Sequence, residues 1–426
     1  MWKTWLTVAG LFAIGNAFGQ PQMTVRPVGT LTAAEVVKRY EERFKEKLAD
    51  APAIRLLRVN YPSTDAKGNA VRLSGLVAIP PSPKGLVLYF HATTADRDFV
   101  PSRYPAKGSP LEAELAVLGF AAHGYAVAMP DYLGLGDHEG IHPYPLGKLN
   151  SRSGIDLVKL VRQQMPEADK PLYISGYSEG GAVAMWATRE IEAAGGTVAR
   201  VAPISGPYNL SGVQARSMLK DHSNPIWLGA SVFVASYTAY GIQSTHPEIK
   251  LGEYFVRPFA TYIPYVFQKQ IDDVHRGRKL SLKAWQVGEF VSLRKILRPS
   301  FLEAIRTHDL SNPLLAILAA NDCHDWTPKT QIALYAVEDD FLVPKEHVTV
   351  TIEAMRRRGV PESQVWGHIE PGRRYNHLDC VVPGIPFARR FFDGQIKNPV
   401  DISQAPGSSG MFLSGVRSGP QSFRFP

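Results

Sequence analysis

Residues 172–181 read Leu-Tyr-Ile-Ser-Gly-Tyr-Ser-Glu-Gly-Gly and contain the most informative pattern in the chain. A strand-like run, 172–175, leads directly into Gly-x-Ser-x-Gly, and a helical pattern follows. A serine on a sharp turn between a strand and a helix needs small residues two positions before and after it. Gly176 and Gly180 meet that demand because they have no side chain. The turn exposes the hydroxyl of Ser178 near the positive end of a helix, so we predict that this serine is a nucleophile on a nucleophile elbow.

Strands and helices alternate on both sides of this turn. Strands are predicted at 56–61, 71–79, 86–90, 126–129, 172–175, 198–204, 331–336 and 364–369, and helices at 31–48, 110–122, 152–164, 180–194, 345–357 and 385–392. Asn150 or Ser151 is the expected cap of the helix at 152–164. Alternation of this kind predicts an α/β protein with a mostly parallel sheet and helices on both faces.

The alternation stops near Ser205 and resumes at 331. The intervening segment is too long for a loop, so we predict a folded insertion, or cap, at 208–328. It is rich in aromatic residues, most of which should form its own core, while a few line an apolar pocket over the active site. The apolar run 226–242 is interrupted by Ser, Thr and Tyr and predicts a buried helix rather than a membrane span. The resulting division is a signal peptide 1–19, core 20–207, cap 208–328, core 329–400 and a loosely held tail 401–426.

The first residues have the pattern of an export signal. Lys3 supplies a positive charge, residues 6–14 are apolar, and residues 17–19 (Ala-Phe-Gly) form a small-x-small cleavage pattern. The apolar run is shorter than the roughly 20 residues that span a bilayer. We therefore expect cleavage before Gln20 and a protein that is secreted or periplasmic.

The net charge of +8 comes from scattered residues rather than from one patch. Adjacent arginines occur only at 356–358, 373–374 and 389–390. This distribution predicts a solvated basic surface, or a mild preference for anionic surfaces or polymers, and no nucleic-acid partner.

The chain has two cysteines, Cys323 and Cys380. Export permits a disulfide between them, and two buried free thiols are the alternative. Pairing requires Cα atoms within about 7 Å, which the sequence does not show. The cysteines lack the close ligand spacing of a metal site, so no metal is expected.

An orienting acid for a catalytic histidine is predicted after the strand at 331–336. A serine hydroxyl is a weak nucleophile until a histidine takes its proton, and an acid orients that histidine. In this architecture the acid follows the serine in the chain, and the histidine follows the acid. Asp340 is our first choice, because Asp-x-x-Val-Pro ends the loop with a proline that begins the next helix, and Asp339 is the runner-up.

Three histidines follow the acid in the chain. His347 falls within the next predicted helix and is too close in sequence to turn back, and His368 falls inside the last predicted strand. His377 lies in the loop 371–379, where a turn can lay the imidazole between the serine and the acid. We predict that His377 is the base.

The tetrahedral intermediate of acyl transfer needs hydrogen-bond donors for its oxyanion, usually backbone N–H groups. Glu179, the residue after the nucleophile, is predicted to supply one. The loop after the strand at 86–90 should supply the other, from Thr93 or Ala92. His91 precedes the serine in the chain and is interpreted as a residue that organises this loop.

With these residues identified, the sequence resembles the α/β-hydrolase superfamily and, within it, the secretory lipase and carboxylesterase group related to the fungal acid-stable lipase type. The resemblance covers about 54–392. Besides Gly-Tyr-Ser-Glu-Gly-Gly it depends on four further motifs, Pro-Asp-Tyr-Leu-Gly-Leu-Gly at 130–136, His-Pro-Tyr at 142–144, Asn321-Asp322 with Asp325-Trp326, and Asp-x-x-Val-Pro at 340–344. Many relatives have a glycine after the histidine of the oxyanion loop, where this chain has Ala92.

The resemblance implies an α/β-hydrolase fold with about eight strands, a mainly helical cap inserted after the sixth, and hydrolysis of carboxylic esters without a cofactor. The expected substrate is then a small-molecule or lipid ester. A peptidase with the same serine, acid and histidine is the alternative, although no acidic cluster that would anchor a peptide terminus is evident in the insertion. A non-catalytic binding protein on this scaffold would lack one of the three residues, and all three are present.

Overall fold

The computed structural model describes residues 22–221, 224–372 and 374–397, so the expected signal peptide and the tail 401–426 lie outside the described residues. Within this part of the chain nine strands form one sheet in the order β1-β2-β3-β5-β4-β6-β7-β8-β9. Their bounds are β1 Thr24–Leu31, β2 Ile54–Thr64, β3 Ala70–Ile79, β4 Gly85–Phe90, β5 Tyr125–Pro130, β6 Leu172–Tyr177, β7 Arg200–Ile204, β8 Gln331–Val337 and β9 Val365–Glu370. The strands from β1 through β3 to β5 pair antiparallel, and all other pairs are parallel.

The predicted α/β class and its eight strands are present, and β1 is the additional one. Seven of its eight residues are at least partly exposed, and only Leu31 is buried. The segment therefore lacks the alternation of apolar and polar residues on which a strand prediction depends. It pairs with β2, with Thr24 opposite Asn60, and forms an antiparallel edge of the sheet.

Helices cover both faces of the sheet. In the described residues they are α1 Ala33–Phe44, α2 Leu111–Ala116, α3 Gly147–Gln164, α4 Glu179–Ala193, α5 Ala215–Ser217, α6 Pro225–Thr245, α7 Leu251–Tyr254, α8 Arg257–Ala260, α9 Tyr262–Phe267, α10 Asp273–Gln286, α11 Pro299–Thr307, α12 Pro313–Ala320, α13 Glu346–Arg357 and α14 Val381–Phe392. Helices α3, α4 and α13 pack on one face, and α1, α2 and α14 on the other. Alternate residues of β4 belong to the two cores, with Leu88 in one and Tyr89 in the other.

Two helices begin at residues other than those predicted. Thr32 caps α1 and forms a reciprocal capping box with Glu35, so the helix starts later than the predicted 31. Helix α3 starts at Gly147, five residues before the predicted start. Asn150 and Ser151 are buried inside it and do not cap it. The Asn150 amide instead donates to a Glu179 carboxylate oxygen at 3.1 Å, so a contact distant in sequence replaces the expected local one.

The segment between β7 and β8 contains α5 to α12 and has a hydrophobic core of its own. Its aromatic rings mostly pack on one another, with the Tyr237 and Phe267 centroids 4.9 Å apart and those of Tyr240 and Phe267 5.3 Å apart. The run 226–242 lies within the 21-residue helix α6. Searched across the described residues, the helices include none long and apolar enough to cross a membrane.

The two cysteines are free thiols in different cores. Cys323 belongs to the core on the α4 face of the sheet, and Cys380 to the core on the α14 face. The sheet separates the two sulfur atoms. The cysteines are therefore two buried free thiols, and no disulfide joins them.

Candidate active site

Ser178 lies in the turn between β6 and α4, in a backbone conformation that few residues with side chains adopt. Its φ is 56° and its ψ is −120°, a strained combination that persists only where the surroundings impose it. A Cβ added to Gly176 would collide with the backbone of Gly180, and one added to Gly180 would collide with the Phe90 carbonyl. The Ser178 N–H donates to the Ile204 carbonyl at 2.9 Å and ties the turn to β7.

The three residues predicted for nucleophile, base and acid come together in one chain of hydrogen bonds. Ser178 Oγ lies 2.8 Å from His377 Nε2, and His377 Nδ1 lies 2.8 Å from Asp340 Oδ2. Their exposed fractions are 7%, 3% and 8%. A carboxylate can only accept, so Nδ1 carries the proton and Nε2 is left to accept from the serine hydroxyl. This is the arrangement in which a histidine can act as a general base.

The loop after β8 fixes the orientation of the acid. Asp340 Oδ1 accepts from the backbone N–H groups of Leu342 at 3.0 Å and Val343 at 2.7 Å. One carboxylate oxygen is thereby held by its own loop, and the other faces His377. The structure thus joins the histidine to the first choice, Asp340, and not to the runner-up, Asp339.

Three histidines that the sequence analysis weighed and set aside have structural partners elsewhere. His347 Nε2 lies 3.0 Å from Gln214 Oε1, and its Nδ1 accepts from the Asn209 N–H at 3.2 Å. His368 pairs with Glu370 at 3.0 Å on β9. His91 bonds the Ala92 carbonyl through Nδ1 at 2.7 Å. These contacts agree with the sequence-based reasons for setting His347 and His368 aside and for assigning His91 to its loop.

The backbone N–H groups predicted to stabilise an oxyanion come from two places in the chain, the start of α4 and the loop after β4. Glu179 is the first residue of α4, where helix N–H groups have no intrahelical acceptor. Ala92 N–H already donates to both carboxylate oxygens of Glu112, each at 3.1 Å. Of the two residues predicted for the second donor, only Thr93 therefore has an N–H without an acceptor among the described residues.

Sequence reasoning missed a buried polar cluster behind the nucleophile. Glu179 Oε1 lies 2.8 Å from His142 Nε2 and accepts from Asn150 Nδ2 at 3.1 Å. His142 Nδ1 donates to the Leu133 carbonyl at 3.0 Å. Glu179 Oε2 is buried and has no partner among the described residues. The available signals were the His-Pro-Tyr motif and a carboxylate at a position that must lie against the core.

Cys380 lies beside the hydrogen-bonded pair of Asp340 and His377. Its sulfur is 3.2 Å from Ser205 Oγ and 3.3 Å from the His377 carbonyl oxygen. Ligand atoms of Asp340, His377 and Cys380 lie within 4.8 Å of one another, a spacing that could hold a metal ion. Burial raises the pKa of the Cys380 thiol well above its usual value, and a metal-binding cysteine must be a thiolate. A metal ion would therefore have to displace the proton of Cys380, and it would compete with the hydrogen bond between Asp340 and His377.

A groove of about 190 Å³ opens where the cap meets the acid loop. The cap contributes Trp227, whose ring stacks on Phe341 with centroids 4.8 Å apart. Phe341 in turn presents its ring to His377 with centroids 6.4 Å apart. An aromatic wall thus connects the cap with His377.

No protein-family model matches the chain, and no curated protein matches it either. Solved structures are similar over most of its length. A candidate hydrolase from Legionella pneumophila is 23% identical, with a TM-score of 0.75, over 88% of this chain and 98% of that one. The rice cell wall degrading esterase LipA from Xanthomonas oryzae is 22% identical, with a TM-score of 0.71, over 89% and 98%. Candida antarctica lipase A in its closed state is 15% identical, with a TM-score of 0.61, over 89% and 83%.

At these identities the similarity establishes the fold and leaves the reaction to the site itself. The sheet order and the strand–turn–helix around Ser178 agree with it. The protein has the α/β-hydrolase fold, as its sequence predicts.

Proposed function

We propose that the protein is an exported serine hydrolase that cleaves carboxylic esters. The observation that carries the proposal is the unbroken chain from Asp340 through His377 to Ser178, 2.8 Å at each step, on a strained turn. The fold is shared with proteins named as an esterase and a lipase, which favours an ester as the scissile bond. Export is inferred from the pattern at 1–19.

In the first step the Ser178 hydroxyl attacks the ester carbonyl while His377 Nε2 takes its proton. Asp340 keeps the imidazole in the required tautomer and stabilises the positive charge that develops on it. The negative charge on the carbonyl oxygen is stabilised by backbone N–H groups, one of them from Glu179. When the tetrahedral intermediate collapses, the alcohol leaves with the proton that His377 returns.

In the second step a water molecule replaces the alcohol. His377 takes a proton from the water, which attacks the acyl-enzyme carbonyl, and the acid is released when Ser178 regains its proton. This acyl transfer needs no cofactor. The burial of all three side chains strengthens the hydrogen bonds on which it depends, because little water competes for them.

The test is Ser178→Ala, with Ser175→Ala as the matched control, three residues earlier on the strand β6 that leads into the turn. We expect the catalytic variant to lose at least about 10⁴-fold in kcat and all labelling by a fluorophosphonate. The control should label and turn over like wild type at the same folded fraction. Esterase activity near the wild-type level in Ser178→Ala would refute the assignment.

The scissile bond is tested by a p-nitrophenyl ester series from acetate to palmitate, beside a panel of fluorogenic dipeptides. Ester turnover that requires Ser178, without dipeptide turnover, is the expected result. Cleavage of dipeptides alone would favour a peptidase of the same fold. A sharp fall beyond short acyl chains would exclude lipase action.

A further inference from the structure

The loop at residues 91–95, the oxyanion loop below, is held at two points by carboxylates that come from different parts of the molecule. At its first point the Ala92 N–H donates to both oxygens of Glu112, each at 3.1 Å. Glu112 lies on α2 in the core and also accepts from the Tyr89 hydroxyl at 2.9 Å. The Tyr89 hydroxyl of β4 and the Ala92 N–H of the loop therefore donate to the same carboxyl group of the core.

At the second point the loop is bonded to the cap. The Ala95 N–H donates to the two oxygens of Asp273 at 3.0 and 3.2 Å, and the Thr94 hydroxyl donates to the same carboxylate at 2.7 Å. Asp273 is the first residue of α10 and pairs with Arg276 at 2.9 Å. From α6, the Tyr237 hydroxyl donates to the Thr94 carbonyl at 3.0 Å. Two cap helices thus make all of these contacts.

Between these two points lie the N–H groups of Thr93 and Thr94, which have no acceptor among the described residues. The loop begins against the nucleophile turn, because a side chain at Gly180 would meet the carbonyl oxygens of Phe90 and His91. Free N–H groups fixed next to a nucleophile are the usual construction of an oxyanion site. The hydrogen bonds on either side leave the Thr93–Thr94 segment as the part of the loop able to donate.

We propose that Glu112 of the core and Asp273 of the cap are positioning residues that hold the oxyanion loop between them, so that the Thr93–Thr94 segment supplies the second oxyanion donor only when the cap is seated. This inference rests on the proposed serine hydrolase function. It makes the cap part of the catalytic apparatus and not only a cover for the substrate. Neither carboxylate touches the reacting atoms, and each acts through the backbone that it binds.

Burial raises the pKa of both carboxyl groups, to about 8 for Glu112. A neutral group of the same shape should therefore serve at position 112. Glu112→Gln keeps a carbonyl oxygen for the Ala92 N–H and the Tyr89 hydroxyl, whereas Glu112→Ala removes the acceptor. We expect Glu112→Gln to retain most of its activity and Glu112→Ala to lose it.

The closing experiment compares Asp273→Ala with Asp272→Asn. Asp272 is the neighbouring residue and caps α10 through the His275 N–H, a role that asparagine also fulfils. Turnover is normalised to active sites titrated with a fluorophosphonate, so that unfolded molecules do not count. We expect kcat per site to fall 10- to 100-fold in Asp273→Ala with KM changed less than threefold, and Asp272→Asn to match wild type.

A trifluoromethyl ketone, whose adduct with the serine carries an oxyanion, supplies the readout that a merely structural role would not change. Its inhibition constant should rise by the same factor as kcat falls in Asp273→Ala and Glu112→Ala. If Asp273→Ala does not fold, Tyr237→Phe, which deletes one hydroxyl, should lower kcat and weaken the inhibitor about three- to tenfold. Wild-type kcat per site together with wild-type inhibitor affinity in the folded variants would overturn the proposal.

The two proposals fail in different ways. If the serine hydrolase function is wrong, activity survives Ser178→Ala. If only the positioning role is wrong, Ser178→Ala is inactive, while the Asp273 and Tyr237 variants behave as wild type.

Discussion

The two sides of the candidate site are built from different parts of the chain. One side consists of the serine, histidine and acid, called the triad side below. Every hydrogen bond given above that orients Ser178, His377 and Asp340 joins residues of the core. On the oxyanion side the loop at 91–95 is bonded to the core through Glu112 and to the cap through Asp273. The difference implies that the nucleophile can be assembled without the cap, whereas full stabilisation of the transition state requires it.

The largest expected effect concerns Asp340, which belongs to the triad side alone. Asp340→Asn keeps the shape of the acid but can present an amide N–H to His377, which favours the wrong tautomer. We expect kcat to fall about 10³- to 10⁴-fold with little change in KM, and the affinity of a ground-state ester analogue to be unchanged. Steady-state kinetics with p-nitrophenyl butyrate would measure both parameters.

The matched control for this prediction is Asp339→Asn in the same loop. Asp339 lines the groove and has no hydrogen bond to the imidazole. It should stay within a few-fold of wild type. More than a tenth of wild-type kcat in Asp340→Asn, or an equal loss in the control, would contradict the assignment of the acid.

A smaller effect is expected for Glu179, whose backbone N–H is proposed for the oxyanion and whose side chain lies in the buried polar cluster behind the nucleophile. Glu179→Ala keeps the backbone N–H that is proposed for the oxyanion but leaves the buried His142 Nε2 and Asn150 amide without their acceptor. An unsatisfied buried polar group costs about 1–3 kcal/mol. We expect the free energy of unfolding to fall by about that amount in urea titrations, and kcat per folded molecule to fall less than tenfold.

Glu190→Ala is the control on the same helix. Glu190 is partly exposed, and its carboxylate lies as far as 4.0 Å from the Lys148 ammonium group, so the ion pair is weak. Exposed pairs of this kind contribute about 0–1 kcal/mol. Equal stability of the two variants would show that the cluster around Glu179 is not a significant support of the elbow.

The same contrast explains how much the sequence could predict. The elbow, the acid loop and the strand–helix order follow from local patterns, so Ser178, Asp340 and His377 could each be named from their neighbours in the chain. The roles of Glu112, Asp273 and His142 could not be predicted from their neighbours in the chain. These roles arise from contacts with residues 20, 178 and 37 positions away in sequence, respectively. The exposed strand β1 and the early start of α3 escaped prediction for a related reason, since partners distant in sequence determine both.

The effect that is smallest at neutral pH concerns the base of the cap. His347 lies on α13 in the core and holds Gln214 and Asn209 at the start of the insertion, its Nδ1 accepting from the Asn209 N–H. Burial, with a smaller contribution from the nearby His324, lowers the pKa of His347 to about 3. The unfolded chain, with a histidine pKa near 6.5, binds the extra proton throughout the interval between these values.

Stability from this group is therefore complete above pH 6.5 and is lost as the pH falls towards 3, by at most about 1.4 kcal/mol per pH unit. His347→Gln removes the titrating group, so its free energy of unfolding should decline less steeply than that of wild type between pH 6.5 and 4.5. Parallel curves for His347→Gln and wild type would contradict the prediction. A steeper loss in wild type, together with a kcat that falls at a higher pH in wild type than in His347→Gln, would tie the seating of the cap to the oxyanion side of the site, because both proteins keep His377 as the base.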